Sequence, residues 1–360
     1  MPEKNCNHTE NINGICRKDI SYKSDDGNNL ADRFLDDFLK VQFITEFNRM
    51  RLADIFDSCN LISIEDINSY LKIDEFGLKA FLEILASFDV IRIKDNKFGL
   101  TDSFRKATAN KEYFNARLNY SRLVFSDIST NLGKMIATGN FLSEGIMRNF
   151  WKYPDDKTPS DDKKTKTTER WVKFISALTK FDSDSCIDNY DFSQAKNILE
   201  LGGNSGEFAI HICRRYENAH IDILDLPDVA KIGNENVRKK GYSSRITFIP
   251  GDFFKDEFPD GKDLIILKSV LVDWEFEKAR IILKKCYDSL GYGGKILICE
   301  HEKIDLKQKG EIEKNIIFWN FLKYLKDKKF YESLLAEIGF KEINSESINE
   351  TEFMVISARK

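Results

Sequence analysis

The most informative segment of the sequence is Asn197-Ile-Leu-Glu-Leu-Gly-Gly-Asn-Ser-Gly206. An apolar run with the length of a β-strand leads directly into a glycine-rich turn that opens a helix. Glycines at such a turn let the backbone approach a ligand, and the free N–H groups of the following helix point outward. Taken alone the loop is a weak signal, because glycine turns between strands and helices are common in α/β proteins.

The sequence on both sides of this loop predicts a sheet. From Lys196 onward, short apolar runs alternate with helical stretches, which is typical of βαβ units in a largely parallel sheet. Seven strands are predicted, at Asn197–Leu201, Ile221–Leu224, Ile246–Ile249, Leu264–Lys268, Lys295–Cys299, Lys341–Ile348 and Phe353–Ala358. We therefore predict an α/β fold with a Rossmann-like seven-stranded sheet.

Polar residues at the ends of the second and third strands indicate that the glycine loop is part of a nucleoside-binding site. Asp225 ends the second strand, about 20 residues after the loop, where a carboxylate can accept both hydroxyls of a ribose. At the end of the third strand, Asp252 can reach an adenine amino group and Phe253 its ring face. NAD is a rival ligand, but the loop is Gly-Gly-Asn-Ser-Gly rather than the G-x-G-x-x-G motif of NAD-binding proteins. The sequence therefore favours a different nucleoside cofactor.

The N-terminal part of the chain has a different pattern. Apolar residues at helical spacing run from Leu30 to Phe56, Ser63 opens a capping box, and a more apolar helix covers Asp74 to Phe88. A hairpin follows at Val90–Thr101, which completes the plan of a winged helix. The helix at Asp74 to Phe88 carries one lysine and two glutamates, so its surface would repel a phosphate backbone. We therefore expect it to serve packing or dimerisation rather than DNA binding.

Between these two parts, helices are predicted at Asn115–Thr138 and Thr168–Phe181, with a solvated charged loop at Asp155–Lys166. Aromatic residues in this part and near Phe318 indicate an apolar pocket of ring size, closed partly by a partner subunit. The stripe from Phe318 to Tyr324 fits a core equally well.

Composition limits the classes of function. The chain has 360 residues and a formal charge of −4, which argues for two domains and weakly against a nucleic-acid ligand. Seven cysteines without a C-x-x-C pair, and the lack of a signal peptide or long apolar run, predict a cytoplasmic protein. Cys6, His8 and Cys16 lie in a polar tail that is expected to be disordered, and no metal site is predicted.

The order of the motifs narrows the interpretation. The chain resembles the plant-type small-molecule O-methyltransferases, a family of class I S-adenosylmethionine-dependent methyltransferases, in these segments: Tyr190–Ser193, Leu199–Gly206, Asp225–Pro227, Gly251–Phe254, Leu267–Trp274, Gly293–Glu300 and Ile338–Phe340. The resemblance implies an antiparallel last strand and a homodimer formed through the N-terminal domain. It implies four parts: a tail at 1–28, a winged-helix dimerisation domain at 29–112, linking helices of the substrate pocket at 113–190, and an S-adenosylmethionine-binding catalytic domain at 191–360.

The resemblance also implies roles for individual residues. Glu200, Gly202 and Gly206 would shape the methionine pocket, Asp225 and Leu226 would hold the ribose, and Asp252 and Phe253 would hold the adenine. Lys268 and Trp274 would lie beside the cofactor. Three of them also fit purely structural roles, Trp274 as core filling, Lys268 as a solvated strand end and Asp252 as a turn residue.

One position departs from the family pattern. The family's Leu-His-Asp-Trp stretch supplies a histidine base, but this chain has Leu271-Val-Asp-Trp274. The candidate catalytic residues are then Asp273, Glu300 and His301. Glu300 corresponds to the glutamate that orients the missing base. His301 is either a substitute base or an incidental surface or loop residue. Three interpretations remain: methyl transfer by proximity, a different reaction such as decarboxylation, hydroxylation or cyclisation, and a non-catalytic subunit.

Overall fold

The computed structural model describes residues 39–142, 147, 162–308, 315–348 and 353–360. The predicted tail at 1–28, with Cys6, His8 and Cys16, lies outside the described residues, as do the start of the first predicted helix and residues 155–161 of the predicted loop. The chain divides into two compact units between Ala107 and Thr108.

The first unit contains five helices and a hairpin within its described residues. They are α1 (39–49), α2 (Leu52–Ser58), α3 (Ile64–Leu71), α4 (Glu75–Ser87), β1 (Ile91–Lys94), β2 (Lys97–Leu100) and α5 (Asp102–Ala107). The predicted caps are present, since Ser63 Oγ accepts the N–H of Asp66 at 3.1 Å and Asp74 Oδ1 accepts the N–H of Gly77 at 2.8 Å. The predicted order of helix, helix and hairpin is confirmed.

The second unit opens with two long helices, α6 (Lys111–Thr138) and α7 (Asp162–Asp188). They pack through Tyr120 and Phe174, whose rings stack with centroids 4.6 Å apart. The prediction of a solvated loop was wrong for residues 162–166, which begin α7. Lysine is a good helix former, so a charged, lysine-rich segment can extend a helix as readily as it forms a loop.

The sheet of this unit has seven strands, in the spatial order β5-β4-β3-β6-β7-β9-β8. In chain order the elements are β3 (Asn197–Leu201), α8 (Glu207–Arg215), β4 (His220–Asp225), α9 (Pro227–Lys239), β5 (Ile246–Pro250), β6 (Lys262–Lys268), α10 (Phe276–Ser289), β7 (Leu290–His301), α11 (Lys328–Ile338), β8 (Lys341–Ser347) and β9 (Phe353–Arg359). The first five strands in space are parallel, and β9 is antiparallel to both β7 and β8. The predicted α/β sheet and its antiparallel last strand are confirmed.

Both faces of the sheet are buried, which explains why its strands are almost continuously apolar. Leu199 and Leu201 pack towards α10 and α11, whereas Ile198 packs towards α8 and the C-terminal end of α7. The strand order reverses at β3, because β4 lies on one side of it and β6 on the other. Ligands of open α/β sheets bind at such a reversal, outside the carboxyl ends of the strands.

Strand β7 is longer than predicted and extends to His301. Its last two residues pair with β9, Glu300 opposite Met354 and His301 opposite Phe353. Glu300 and His301 are therefore fixed by the sheet rather than carried by a loop. In the part of the chain that the structure describes, no helix is both long and apolar enough to cross a membrane.

Candidate active site at the carboxyl edge of the sheet

The glycine loop lies between the end of β3 and the start of α8. Gly202 and Gly206 have φ angles of 68° and 78°, which residues other than glycine rarely adopt. A Cβ at Gly202 would lie 3.0 Å from Val270 Cγ2, and a Cβ at Gly206 would lie 2.8 Å from Val237 Cγ2. Glycine is therefore required at both positions by conformation and by space.

Asp225 joins this loop to the end of β4. Its Oδ2 accepts the N–H of Asn204 at 2.8 Å, and its Oδ1 accepts the N–H of Leu226 at 2.7 Å. The carboxylate is 6% exposed, and burial raises its pKa to about 7 despite these two hydrogen bonds. Asp225 is thus held rigidly while each oxygen keeps capacity to accept a hydroxyl hydrogen.

Glu200 supplies a second buried carboxyl to the same pocket. Its side chain is 2% exposed, and its Oε2 has no hydrogen-bond partner. Burial raises its pKa to about 8, with nearby Lys268 acting in the opposite direction. A buried carboxyl oxygen without a partner is costly, so this atom fits a ligand that brings a positive charge or a hydrogen-bond donor.

Asp252 and Phe253 line the pocket beyond the end of β5. Asp252 also holds its own turn, because its Oδ1 accepts the N–H of Phe254 at 2.9 Å and its N–H donates to Asp256 Oδ2 at 2.7 Å. The Phe253 ring lies against Gly202, with its Cζ 3.5 Å from the position of a Cβ there. Asp252 therefore holds its own turn and also lines the pocket.

Lys268, at the end of β6, is buried and forms an ion pair with Asp182 of α7, with Nζ 2.8 Å from Oδ1. Its ammonium also lies 4.9 Å from the centroid of the Phe353 ring. The alternative of a solvated strand end is wrong, because the side chain is buried at the wall of the pocket.

The other half of the same pocket is apolar. Its walls come from α7, from the turn after β6 and from a 3-10 helix at Ile316–Phe321. The apolar side chains are Trp171, Phe174, Ile175, Leu178, Val272, Ile317, Phe318 and Phe321. Phe318 and Phe321 thus contribute to a pocket wall and, with Val272 and Leu325, to a small core.

His301 is the polar side chain with the most unusual setting in this half. Its ring lies between those of Phe318 and Phe353, with centroid distances of 3.9 and 3.8 Å, and its Nδ1 has no hydrogen-bond partner. Burial, together with the charge of Lys268, lowers the pKa of the imidazole well below 6.5. The ring is therefore neutral near pH 7.

Comparison with known proteins identifies the family. A family model described as the O-methyltransferase domain matches residues 158–341. The chain belongs to the O-methyltransferase domain family. Curated relatives include 3-hydroxy-5-methyl-1-naphthoate 3-O-methyltransferase of Streptomyces sahachiroi, 33% identical over 37% of this chain and 38% of the relative, and acetylserotonin O-methyltransferase of Gallus gallus, 30% identical over 49% and 53%. These matches span between about a third and a half of the relatives' lengths.

Solved structures share the fold over nearly the whole chain. Human N-acetylserotonin methyltransferase in complex with SAM matches with a TM-score of 0.75 and 19% identity, over 95% of this chain and 99% of that one. The mitomycin 7-O-methyltransferase MmcR matches with a TM-score of 0.76 and 17% identity, over 93% and 98%.

Within this family member, most predicted site residues lie in one pocket. The residues that line it are Glu200, Gly202, Asp225, Leu226, Asp252, Phe253, Lys268, Asp273, Trp274 and His301. Gly206 and Glu300 do not line it. Glu300 is fully buried, and its Oε1 accepts the N–H groups of Val270 and Leu271 at 2.8 and 2.6 Å. Val272, at the position of the family's histidine, is 5% exposed.

Sequence reasoning missed three pocket features. Asp182 follows no motif, and only the packing of α7 brings it to Lys268. Asn204 is 6% exposed, and neither atom of its amide has a hydrogen-bond partner. Its position inside the glycine loop was the one available signal. Trp171 and Phe174 come from a helix whose start was misplaced. The described residues contain no group of three His, Cys, Asp or Glu side chains that suits a metal ion.

Proposed function

We propose that this chain transfers a methyl group from S-adenosyl-L-methionine to a small aromatic acceptor, by proximity and without a histidine base. The observation that carries the proposal is a single pocket with two unlike halves. One half has buried carboxyls and a glycine loop, and the other is apolar and rich in aromatic rings. A polar cofactor and a flat acceptor would then meet where the halves join, near Val270 and Trp274.

The polar half fits the cofactor on its own evidence. The unpartnered Oε2 of Glu200 suits the amino group of the methionine part, and the fixed carboxylate of Asp225 suits two ribose hydroxyls. Leu226 would pack beside that ribose, and Asp252 and Phe253 would take the adenine. When bound, S-adenosyl-L-methionine supplies an electrophilic methyl group on a positively charged sulfur. Neighbouring carboxyls favour a ligand with that charge.

The apolar half supports an aromatic acceptor. Ring-sized walls of Phe174, Phe318 and Phe321 favour a flat, apolar molecule. The relatives whose names specify an acceptor include enzymes named for a naphthoate and for acetylserotonin. Alignment of an acceptor atom with a sulfonium methyl group provides a large share of the rate by itself. We therefore expect acceptors whose reacting atom needs little help to lose a proton.

Two polar side chains that line the pocket, His301 and Asp273, adjoin apolar residues of the acceptor half, which is the apolar half described above: His301 contacts Phe318, and Asp273 follows Val272. We propose that His301 accepts a hydrogen bond from the acceptor and so orients it. Its lowered pKa makes it a poor store for a full proton, because the charged imidazolium is disfavoured there. Asp273, beside Val272, is the candidate to receive a proton. Glu300 would act indirectly, through the backbone of Val270 and Leu271.

The test uses purified protein, S-adenosyl-L-methionine and a panel of acceptors, with mass-spectrometric detection of S-adenosylhomocysteine and of methylated product. The panel contains phenols of graded acidity, aromatic amines and thiols. We expect turnover with the more acidic phenols or with amines, and loss of turnover in Asp225→Ala. Glu217→Gln, on the exposed turn before β4, is the matched surface control.

Two outcomes would contradict the proposal. In the first, the protein binds S-adenosyl-L-methionine but no acceptor class yields S-adenosylhomocysteine. In the second, an acceptor is converted without consumption of S-adenosyl-L-methionine, which would favour decarboxylation or cyclisation. Two variants test the role proposed for His301. His301→Gln keeps a hydrogen-bond acceptor and His301→Ala removes it, so a comparison of their turnover separates hydrogen bonding from space filling.

We also propose that the protein is a cytoplasmic homodimer formed through its N-terminal unit. Tyr70, Ile73 and Phe76 lie at the junction of α3 and α4, and Tyr70 and Phe76 are 70% and 81% exposed. Exposed aromatic residues close together favour a protein partner. Light scattering would give the mass in solution. We expect Phe76→Glu to yield monomers and Tyr292→Glu, at an exposed position near the start of β7, to leave the mass unchanged.

A further inference from the structure

A short turn between β6 and α10 lines the pocket with Val270, Val272, Asp273 and Trp274. It comprises Val270 to Trp274 and includes a 3-10 helix at Leu271–Asp273. Its internal hydrogen bonds are long, because the N–H groups of Asp273 and Trp274 are both 3.3 Å from their acceptor oxygens. Bonds of this length are weak, so the turn depends on contacts from outside.

Two buried side chains, Glu300 and Lys326, supply such contacts. Glu300 Oε1 accepts the N–H groups at the start of the turn, those of Val270 and Leu271, at 2.8 and 2.6 Å. Lys326 Nζ donates to the carbonyl groups of Leu271 at 2.9 Å and Trp274 at 2.8 Å. Lys326 is 9% exposed and does not line the pocket, so it acts on the turn from behind.

The turn carries side chains that serve both halves of the pocket. Val270 lies against Gly202 of the glycine loop, while Val272 forms part of the acceptor wall. Lys326 follows the 3-10 helix that contributes Phe318 and Phe321, and its Nζ also donates to the carbonyl group of Tyr324 at 2.7 Å. Through Lys326, the wall bearing Val272 is tied to the wall bearing Phe318.

We infer that Lys326 is a positioning residue that sets the width of the acceptor half of the pocket. The inference rests on the proposed function for the meaning of that half. Three donor hydrogens of the ammonium match three carbonyl oxygens, those of Leu271, Trp274 and Tyr324. A side chain of similar length without donors releases the carbonyl groups of Leu271 and Trp274. Glu300 still holds the N–H groups at the start of the turn.

The test compares Lys326→Met with Lys326→Arg and with Lys323→Met, an exposed lysine on the same segment. For Lys326→Met we expect kcat/KM for the acceptor to fall by about 100-fold, the effect of a misplacement of about 1 Å. The dissociation constant of S-adenosyl-L-methionine changes much less than kcat/KM, because Lys326 forms no hydrogen bond with Glu200 or Asp225 and only Val270 and Trp274 of the turn lie near the cofactor. Lys326→Arg recovers part of the loss, and Lys323→Met behaves as the wild type.

A second readout does not require turnover. In protein labelled with fluorotryptophan, the NMR resonance of Trp274, assigned with Trp274→Phe, shifts or broadens in Lys326→Met and not in Lys323→Met. An unchanged Trp274 resonance, or an equal loss of cofactor and acceptor binding in Lys326→Met, would overturn the inference. If the wild type methylates no acceptor, the proposed function fails, and the Trp274 resonance still decides whether Lys326 positions the turn.

Discussion

The ammonium group of Lys268 lies 2.8 Å from Oδ1 of Asp182, and this ion pair joins the end of β6 to α7 inside the pocket. The side chains of Lys268 and Asp182 are 4% and 15% exposed. Burial raises the pKa of Asp182. Burial acts to lower the pKa of Lys268, but Asp182, together with Cys186 and Cys299, leaves that pKa raised. The two charges therefore depend on each other.

Removal of one partner should cost more than removal of both. Asp182→Asn leaves the Lys268 ammonium buried without its counter-charge, so we expect the free energy of unfolding to fall by about 3 kcal/mol, as measured by denaturant titration. Asp184→Asn, two residues along α7 and 59% exposed, should cost less than about 1 kcal/mol. The double variant Asp182→Leu, Lys268→Met should recover much of the lost free energy of unfolding. If the single and the double variant lost the same amount, the two charges would not be coupled.

Binding of S-adenosyl-L-methionine should depend on pH through Glu200. Burial raises the pKa of Glu200 to about 8, so near pH 7 the carboxyl is mostly protonated and must lose its proton to pair with a cationic amino group. Affinity should therefore rise as the pH increases from about 6.5 to about 8 and then level off. Titration calorimetry in buffers of different ionisation enthalpy would detect the released proton.

Glu200→Gln should reduce both the affinity and its dependence on pH. Part of the dependence should remain, because burial also raises the pKa of Asp225, to about 7. Glu217→Gln, at an exposed site, should keep the wild-type profile. An affinity in the wild type that falls over the same pH range would contradict the assignment of Glu200 to the amino group.

A methyl group at Gly202 should abolish cofactor binding. Gly202→Ala places a Cβ 3.0 Å from Val270 Cγ2 in a backbone with a φ of 68°, so the loop or Val270 must shift and the cofactor half of the pocket changes shape. Equilibrium binding of S-adenosylhomocysteine would measure the loss. In contrast, Gly133→Ala on α6 meets no atom within 4 Å and should bind normally, with a gain in stability of about 0.5–1 kcal/mol.

Val272→His should give the pocket a base. Val272 lies in the acceptor wall, and Glu300, which holds the same turn, has an Oε2 without a hydrogen-bond partner. We expect the methylation of weakly acidic phenols to increase by about 10²-fold or more, which is the usual contribution of a general base. The measurement is kcat/KM across the phenol series.

Val272→Asn is the control for this change, because it adds polarity without a base. If asparagine and histidine had the same effect, a gain would have to come from the shape of the pocket. If histidine reduced the turnover of every phenol, the acceptor half would not have the geometry that the family pattern implies.

Much of the fold could be predicted because its signals are local. The run of Asn197–Leu201 into three glycines specifies strand, loop and helix, and the predicted bounds of β3 match the structure. Strand ends were harder to predict, since β7 begins at Leu290, five residues before the predicted start at Lys295, and includes three glycines. There the pairing with neighbouring strands outweighs the low strand propensity of glycine.

The sequence by itself determined the α/β fold, the family and the carboxyls at the ends of β3, β4 and β5, because each strand, turn and motif is encoded by residues a few positions apart and the motifs follow one another in the order of the family. Only the tertiary structure brought Asp182 to Lys268, placed His301 between two phenylalanine rings and tied Lys326 to the turn at Leu271. Those contacts join segments that are distant in the chain, and no periodicity or motif encodes them. Their energies depend on burial, which exists only once the helices have packed against the sheet.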